Sequence, residues 1–231
     1  MAAQFATAGE NACIVQVDGS NNEITIGVPY LSLTPPDTLP FGFDPATSPD
    51  DARLLTARMA ITPLLGRDAL RDDFLAWATD PNPTRPPVRV LHGAAGTGKT
   101  RFALHLCQEL IGRNTGWKAG FVSQAEAERF VAQQNLSDWR WGTPTLAVFD
   151  YALGSAEALT AWFEELCYNP GFAKHPLRVL LLERHADLTQ GWCDRVFSSM
   201  NVRGLLDQPP TLLPPLTSLD VKREIMATVL R

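Results

Sequence analysis

The sequence lacks the cysteine patterns of a disulfide framework or a zinc site. Its 231 residues include four cysteines, which form no C-x-x-C pair and do not lie at a zinc-ligand spacing from a histidine. Cys107 and Cys167 fall within apolar periodic stretches, where a small core residue is expected. Reduced thiols in the cytosol are the simplest interpretation of this pattern.

Long apolar runs and basic clusters are also missing. No run approaches the roughly 18 apolar residues that a membrane helix needs, and residues 1–13 lack the basic and apolar regions of a signal peptide. The formal net charge is -5, without a block of Lys and Arg, so nucleic acid is not an expected partner. Apolar residues make up 45% of the chain, which is enough for a large core. We therefore expect a cytoplasmic globular protein without a membrane span.

From residue 64 onward, short apolar runs alternate with amphipathic segments. The pattern predicts strands at 88–92, 118–122, 145–149, 177–182 and 212–216, and helices at 67–78, 99–111, 124–134, 155–168 and 219–230. Alternating strands and helices are typical of βαβ units with right-handed crossovers. The predicted fold class is therefore α/β, with a parallel sheet flanked by helices on both faces.

One Gly-rich segment matches the full pattern of a phosphate-binding loop, G-x-x-x-x-G-K-[ST]. It lies between a predicted strand and a predicted helix and consists of Gly93, Ala94, Ala95, Gly96, Thr97, Gly98, Lys99 and Thr100. Its glycines let backbone N–H groups converge on an anion at the positive end of the helix dipole. Lys99 would reach the β- and γ-phosphates, and Thr100 would offer its hydroxyl to Mg²⁺. The loop predicts a site for ATP or ADP with Mg²⁺.

An aspartate at the end of a buried strand is the expected partner of this loop. Four apolar residues, 146–149, lead directly into Asp150, and a carboxylate in this place orients Mg²⁺ in P-loop proteins. The βα unit at 118–134, which separates the loop from this strand, is typical of the ATPase branch rather than the GTPase branch. Asp150 is therefore predicted to be the metal-orienting acid, together with Thr100.

The residue after Asp150 is Tyr151, where hydrolysis would usually need a second acid to polarise the attacking water. Glu157 follows on a predicted helix that directs it away from the strand end, and Glu183 is a weak alternative base. Arg184 ends the next strand at the same sheet edge, where its guanidinium could contact the γ-phosphate. A surface salt bridge is the alternative role for Arg184. We expect nucleotide binding with slow hydrolysis or none.

Taken together, these motifs resemble the STAND class of signal-transduction ATPases, which are bacterial NLR-like relatives of the AAA ATPases. The resemblance rests on residues 65–67, the loop at 93–100, residues 146–152 and residues 179–184 with the later Trp192. It implies a P-loop NTPase domain of the ATPase branch over residues 61–216, in which Gly66 and Arg67 contact the nucleotide and Arg184 senses it. It also implies that residues 217–231 begin a helical lid that the chain leaves truncated.

The function implied by this resemblance is a switch. ATP or ADP would set the state of the molecule, the active form would be a homo-oligomer, and bacterial antiphage immunity is one suggested setting. A catalytic AAA-like ATPase that remodels its substrates is the first alternative. A scaffold module with a purely structural nucleotide is the second.

Residues 1–30 form a separate β-prone segment. Two such runs flank Asp18–Asn22 and predict a short hairpin-like extension. The segment resembles the RIP homotypic interaction motif and bacterial amyloid-signalling motifs, which implies self-assembly as stacked strands and an effector that shares the motif. The residues that carry this resemblance are Val15, Gln16, Val17, Gly19, Asn21, Asn22 and Ile24.

Asp18 departs from that motif, because the animal version has Gly directly after Val-Gln-Val and a stacked Asp column would repel itself. A plain hairpin is therefore the alternative for this segment. Residues 31–60 contain five prolines and are predicted to be an extended linker between the N-terminal segment and the nucleotide-binding domain.

Overall fold

A computed structural model of the chain describes residues 30–36, 64–82, 85–113, 116–133, 136, 139, 141–168, 175–216 and 223. In this part of the chain the helices are α1 Asp68–Thr79, α2 Lys99–Gly112, α3 Gln124–Val131, α4 Ala156–Tyr168, α5 Gly191–Val196 and α6 Met200–Arg203. The strands are β1 Val88–His92, β2 Lys118–Phe121, β3 Thr145–Asp150, β4 Leu177–Glu183 and β5 Thr211–Leu212. A short 3₁₀ helix, Ala152–Ser155, leads from β3 into α4.

The five strands form one parallel sheet in the order β2-β3-β4-β1-β5. The predicted α/β fold class is confirmed. β4 lies between β1 and β3 in space, whereas β2, which lies between them in sequence, occupies one edge of the sheet. The register pairs His92 with Glu183 and Asp150 with Leu182, so the carboxyl ends of these three strands lie side by side.

The strands are apolar on both faces, as expected for parallel strands covered on both sides. Along β3, Leu146 and Val148 pack into the cluster formed with α1 and α2. Ala147 and Phe149 pack into the cluster formed with α3, α4, α5 and α6. All four side chains are at most 2% exposed, and burying a side chain of the size of Leu or Phe stabilises a fold by roughly 1.5–3 kcal/mol. The two apolar clusters hold the carboxyl edge of the sheet in a fixed geometry.

Two predicted element boundaries are wrong by more than one residue. The predicted helix 124–134 ends at Val131, and the fifth strand is Thr211–Leu212 rather than 212–216. The last ladder bond of that strand is donated by the Leu213 N–H to the His92 carbonyl at 2.7 Å. Pro214 and Pro215 follow, and because proline has no N–H to donate, the pairing ends there.

Two short helices, α5 and α6, were not predicted. They have six and four residues, which is too few for a helical period to stand out in the sequence. The predicted hairpin in residues 1–29 lies outside the described residues. So do residues 37–60 of the linker and all but one residue of the predicted closing helix 219–230.

Two arginines are buried near the amino ends of the central strands, which the sequence did not indicate. Arg178 of β4 is 1% exposed, and its guanidinium donates to the carbonyls of Trp77, Leu177 and Asp80 at 2.8–2.9 Å. Burial lowers the pKa of Arg178 to about 10. These bonds tie β4 to α1 and to the segment that follows it.

Arg89 of β1 is the second buried arginine, at 2% exposure. It donates to Asp73 Oδ2 at 2.6 Å and to Asp207 Oδ2 at 2.9 Å, and Asp207 also accepts from Arg85 at 2.8 Å. Burial alone would raise the pKa of Asp207, but the hydrogen bonds from Arg85 and Arg89 outweigh it and lower the pKa. Because the folded-state pKa is lowered, this contribution to stability is present at neutral pH and is lost as the pH falls through that pKa.

Replacing Asp207 with Ala should destabilise the fold by about 3 kcal/mol, because it leaves part of a buried guanidinium without its counter-charge. Urea unfolding followed by circular dichroism measures this loss. Asp72→Ala is the matched control, since Asp72 is exposed and pairs only with the half-buried Arg71. Equal stability of the two variants would show that the Asp207 pairs contribute nothing.

Candidate nucleotide-binding site

The predicted phosphate-binding loop joins the end of β1 to the start of α2, at the carboxyl edge of the sheet. In open α/β sheets, ligands bind outside the carboxyl ends of the strands. Ala94, Ala95 and Gly96 form the exposed crest of the loop, and Thr97 is buried beneath it. Thr97 Oγ1 donates to the Ala94 carbonyl at 2.9 Å and closes the loop on itself.

Gly93 shows why the loop begins with glycine. A Cβ atom at this position would lie 2.5 Å from the Leu213 carbonyl oxygen and 3.2 Å from Thr97 Oγ1. Gly98 precedes α2 with a φ of 93°, in the left-handed region that favours glycine. The start of the loop therefore packs directly against the main chain of Leu213, just after β5, and the shape of the loop depends on this close approach.

The Lys99 ammonium folds back onto its own loop. Lys99 Nζ donates to the carbonyls of Gly93 at 2.6 Å and Ala94 at 3.0 Å. Burial lowers the pKa of Lys99, as does the nearby Arg184, while the carboxylates of Asp150 and Glu183 oppose the shift. Asp150, Glu183 and Arg184 thus all lie close enough to Lys99 to influence the pKa of its ammonium group.

Thr100 and Asp150 meet across the sheet edge. Thr100 Oγ1, in the first turn of α2, donates to Asp150 Oδ2 at 2.7 Å. A hydroxyl and a carboxylate are hard oxygen ligands, which Mg²⁺ prefers, and this ion usually takes one or two protein ligands and completes its shell with phosphate and water. In the described part of the chain there is no cluster of three or more His, Cys, Asp or Glu side chains that could hold a metal ion. The Thr100 hydroxyl and the Asp150 carboxylate fit the one or two protein ligands that a nucleotide-bound Mg²⁺ would take.

Backbone N–H groups of the turn after Asp150 donate hydrogen bonds to both Asp150 and Glu183. Tyr151 has a φ of 60°, and its N–H donates to Asp150 Oδ1 at 3.1 Å. Glu183 is only 8% exposed. Its Oε2 accepts from the Leu153 N–H at 3.1 Å, and its Oε1 accepts from the Arg184 N–H at 2.7 Å. Backbone amides therefore hold one oxygen of Asp150 and both oxygens of Glu183, an arrangement that sequence reasoning missed.

Arg184 follows β4 at the same edge and is exposed. Asp150 pairs in register with Leu182, two residues before Arg184. The alternative role for Arg184, a surface salt bridge, is not seen among the described contacts, and the oxygens of the adjacent Glu183 accept from backbone amides. The Arg184 guanidinium is thus placed where it could meet a ligand on the loop.

Gly66 and Arg67 lie just before α1, at the other side of the loop. The Arg67 guanidinium donates to the Pro214 carbonyl, and Leu213, the preceding residue, touches the loop at Gly93. Burial lowers the pKa of Arg67. Arg67 is therefore connected to the loop through Pro214 and Leu213, the residues that follow β5.

The strand order, the phosphate-binding loop after β1 and the acid at the end of β3 decide the fold. It is the fold of a P-loop NTPase. The strand inserted between the loop strand and the Asp150 strand, which marks the ATPase branch, is β4. The prediction that the unit at 118–134 supplies this strand is wrong, because β2 lies at the edge of the sheet. The predicted self-assembly residues between Val15 and Ile24 lie outside the described residues. None of the helices in the described part of the chain is long and apolar enough to cross a bilayer.

No protein-family model and no curated protein matches this sequence. Solved structures that are similar to it include Cdc6p from Pyrobaculum aerophilum, with a TM-score of 0.49, 16% identity and coverage of 73% of this chain and 50% of that one. Domain III of the replication initiation protein DnaA from Thermotoga maritima has a TM-score of 0.47, 12% identity and coverage of 78% and 73%. Trip13 from Rhizobiales has a TM-score of 0.40, 19% identity and coverage of 60% and 61%. The chain spans about half the length of the Cdc6p structure.

Gly93→Ala should displace the loop from the Leu213 backbone, because the new Cβ atom overlaps a carbonyl that cannot rotate away. We expect a loss of about 1–3 kcal/mol in stability, typical of overpacking, together with weaker nucleotide binding. Thermal unfolding and calorimetric titration measure the two effects. Gly112→Ala, at a helical glycine with open space around it, is the control. Unchanged binding by Gly93→Ala would show that this contact does not shape the loop.

Proposed function

We propose that the chain is an ATP-binding molecular switch of the STAND type, in which the bound nucleotide gates oligomerisation in signalling. The observation that carries this proposal is the arrangement of side chains at the carboxyl end of β3. There, Asp150 accepts a hydrogen bond from Thr100, the other proposed Mg²⁺ ligand, and the next residue is Tyr151 rather than a catalytic acid. The residues support binding more strongly than turnover.

ATP or ADP with Mg²⁺ would occupy the loop at 93–100. The backbone N–H groups of the loop would bind the phosphates, and Lys99 would leave its two carbonyl partners to meet the β- and γ-phosphates. Thr100 and Asp150 would hold the Mg²⁺ that accompanies the nucleotide. Gly66 and Arg67 would contact the nucleotide from the side of α1, and Arg184 would contact the γ-phosphate from the end of β4.

Slow hydrolysis follows from the acids that are present. A positioned general base contributes typically about 10²–10⁴-fold to a rate, and Tyr151 cannot act as a carboxylate base. Glu183 is buried, and both of its oxygens already accept backbone N–H groups. Glu157 lies in the first turn of α4, past the 3₁₀ helix. Bound ATP would therefore persist long enough to define a state of the molecule.

The output that we propose is self-association. Clustering of the switch as a homo-oligomer would bring together the N-terminal segments, whose residues 15–24 resemble self-assembling motifs, and an effector with the same motif would join them. Bacterial antiphage immunity in the cytoplasm is the setting that this resemblance suggests. A remodelling ATPase is the alternative if turnover is fast, and a scaffold is the alternative if the nucleotide does not exchange.

Lys99→Ala should abolish measurable binding of ATP and ADP, because the variant loses charge-assisted hydrogen bonds to two phosphates, each worth about 1.5–3 kcal/mol. Calorimetric titration in the presence of Mg²⁺ measures the affinity. Lys118→Ala removes an exposed lysine at the start of β2 and serves as the control. Tight binding retained by the Lys99 variant would place the nucleotide site elsewhere.

Arg184→Ala should reduce the preference for ATP over ADP, since only ATP offers a γ-phosphate to the guanidinium. A lost charged hydrogen bond of about 1.5 kcal/mol corresponds to roughly a tenfold fall in the ratio of the two affinities. Paired titrations with ATP and ADP give this ratio. Arg195→Ala, at an exposed position of α5, should leave it unchanged. The same ratio in Arg184→Ala as in the unmodified chain would make Arg184 a structural residue.

A further inference from the structure

Residues 30–36, which comprise the last residue of the N-terminal segment and the described start of the linker, lie along the edge of the nucleotide-binding domain. We call this segment the strap. Leu31 and Leu33 pack against the apolar core. The N–H groups of the alternate residues Tyr30, Ser32 and Thr34 donate to the domain at 3.0, 2.6 and 2.8 Å. The strap thus has the two-residue period of a β-strand, with apolar side chains on one side.

The first half of its docking surface is the open edge of β2. Thr34 and Phe121 exchange two backbone hydrogen bonds, of 2.8 and 2.9 Å, in an antiparallel bridge. A Cβ atom at Gly120 would lie 2.5 Å from the Thr34 carbonyl oxygen. The edge therefore accepts the strap backbone only because position 120 has no side chain.

The second half is a stripe of polar side chains on and just after α3. Glu126 Oε1 accepts from the Ser32 N–H, and Gln133 both accepts from the Tyr30 N–H and donates to the Tyr30 carbonyl. Arg129 donates to the same carbonyl at 3.0 Å, and its Cζ atom lies 4.1 Å from the centre of the Tyr30 ring. An internal bond of 2.8 Å between Arg129 and Glu126 holds the stripe in place. The side chains of Glu126, Arg129 and Gln133, spaced i, i+3 and i+7, thus hydrogen-bond to the main chain of an extended segment.

The strap is held by contacts that can open without unfolding the domain. Among the described residues it forms a single ladder pair with β2, and the Tyr30 side chain remains 55% exposed. Few apolar contacts and exposed hydrogen bonds are the marks of segments that open locally. Opening would leave the N–H and C=O groups of Phe121, at the end of β2, unpaired, and unpaired groups on an edge strand are a template for association with another chain.

We propose that residues 30–36 are a reversible latch, whose docking on α3 and on the sheet edge at Phe121 holds back self-association of the N-terminal segment that directly precedes it. The occupant of the surface is the chain's own strap. The docking stands independently of any nucleotide, whereas its effect on assembly rests on the proposed function.

A disulfide between the strap and β2 tests the latch. Residues that exchange two hydrogen bonds across antiparallel strands have Cα atoms about 5.5 Å apart, which is within the range of a disulfide. The double variant Thr34→Cys with Phe121→Cys should form an intramolecular bond on oxidation. The oxidised chain should assemble at least tenfold more slowly, as followed by light scattering in the presence of ATP and Mg²⁺, and reductant should restore the rate. Each single-cysteine variant is a control.

The opposite change should open the latch. Gly120→Val should speed amide exchange at Thr34 and Phe121 by at least tenfold and accelerate assembly, whereas Gly142→Val, at a glycine with open space around it, should change neither. A chain with both Val15→Asp and Val17→Asp supplies the reference for assembly without the N-terminal motif.

The two sets of outcomes separate the latch from the nucleotide switch. Failure of the disulfide to form, a disulfide formed only between chains, or equal assembly rates in the oxidised and reduced states would overturn the latch. Loss of ATP binding in the unmodified chain would overturn the proposed function, and exchange at Thr34 and Phe121 would still decide whether the strap docks.

Discussion

The hydrogen bond between Thr100 and Asp150 is the interaction on which the rest of the site depends. It joins α2, which follows β1, to the end of β3. It forms only because β4 lies between β1 and β3 and holds them at a fixed spacing. Both faces of these strands are buried, so neither partner can shift without disturbing an apolar cluster. Core packing thereby fixes the positions of the two side chains that we propose as the Mg²⁺ ligands.

The acids at the same edge are the basis for our proposal that the nucleotide is retained rather than rapidly hydrolysed. The turn from Tyr151 to Leu153 directs its N–H groups at Asp150 and Glu183. One acid is thereby oriented towards Thr100, and the other is kept occupied. Arg184, which directly follows Glu183 and donates its own N–H to that carboxylate, is left with its guanidinium exposed. Glu183, whose carboxylate is held by backbone amides, and Arg184, the proposed nucleotide sensor, thus occupy neighbouring positions at the end of β4.

Much of this site could be predicted from the sequence, because its parts are local. The loop at 93–100 and the apolar run into Asp150 are contiguous patterns, and parallel strands bring their carboxyl ends together without further information. The bond from Arg67 to Pro214 and the docking of Ser32 on Glu126 join residues 147 and 94 positions apart, and no periodicity encodes such pairs. Arg89 and Arg178 escaped prediction for another reason. Each interrupts an apolar run, and only the folded structure shows that Asp207, Asp73 and main-chain carbonyls are there to receive them.

The most direct test of the nucleotide switch is the fate of a single bound ATP. The chain is loaded with radiolabelled ATP and Mg²⁺, separated from free nucleotide, and sampled over time for intact ATP and for ADP, on the protein and in solution. We expect the label to remain ATP throughout, and excess unlabelled ATP to displace it from the protein as intact ATP. Rapid conversion to ADP followed by repeated turnover would contradict it, because a residue other than Tyr151 would then have to supply the catalytic base.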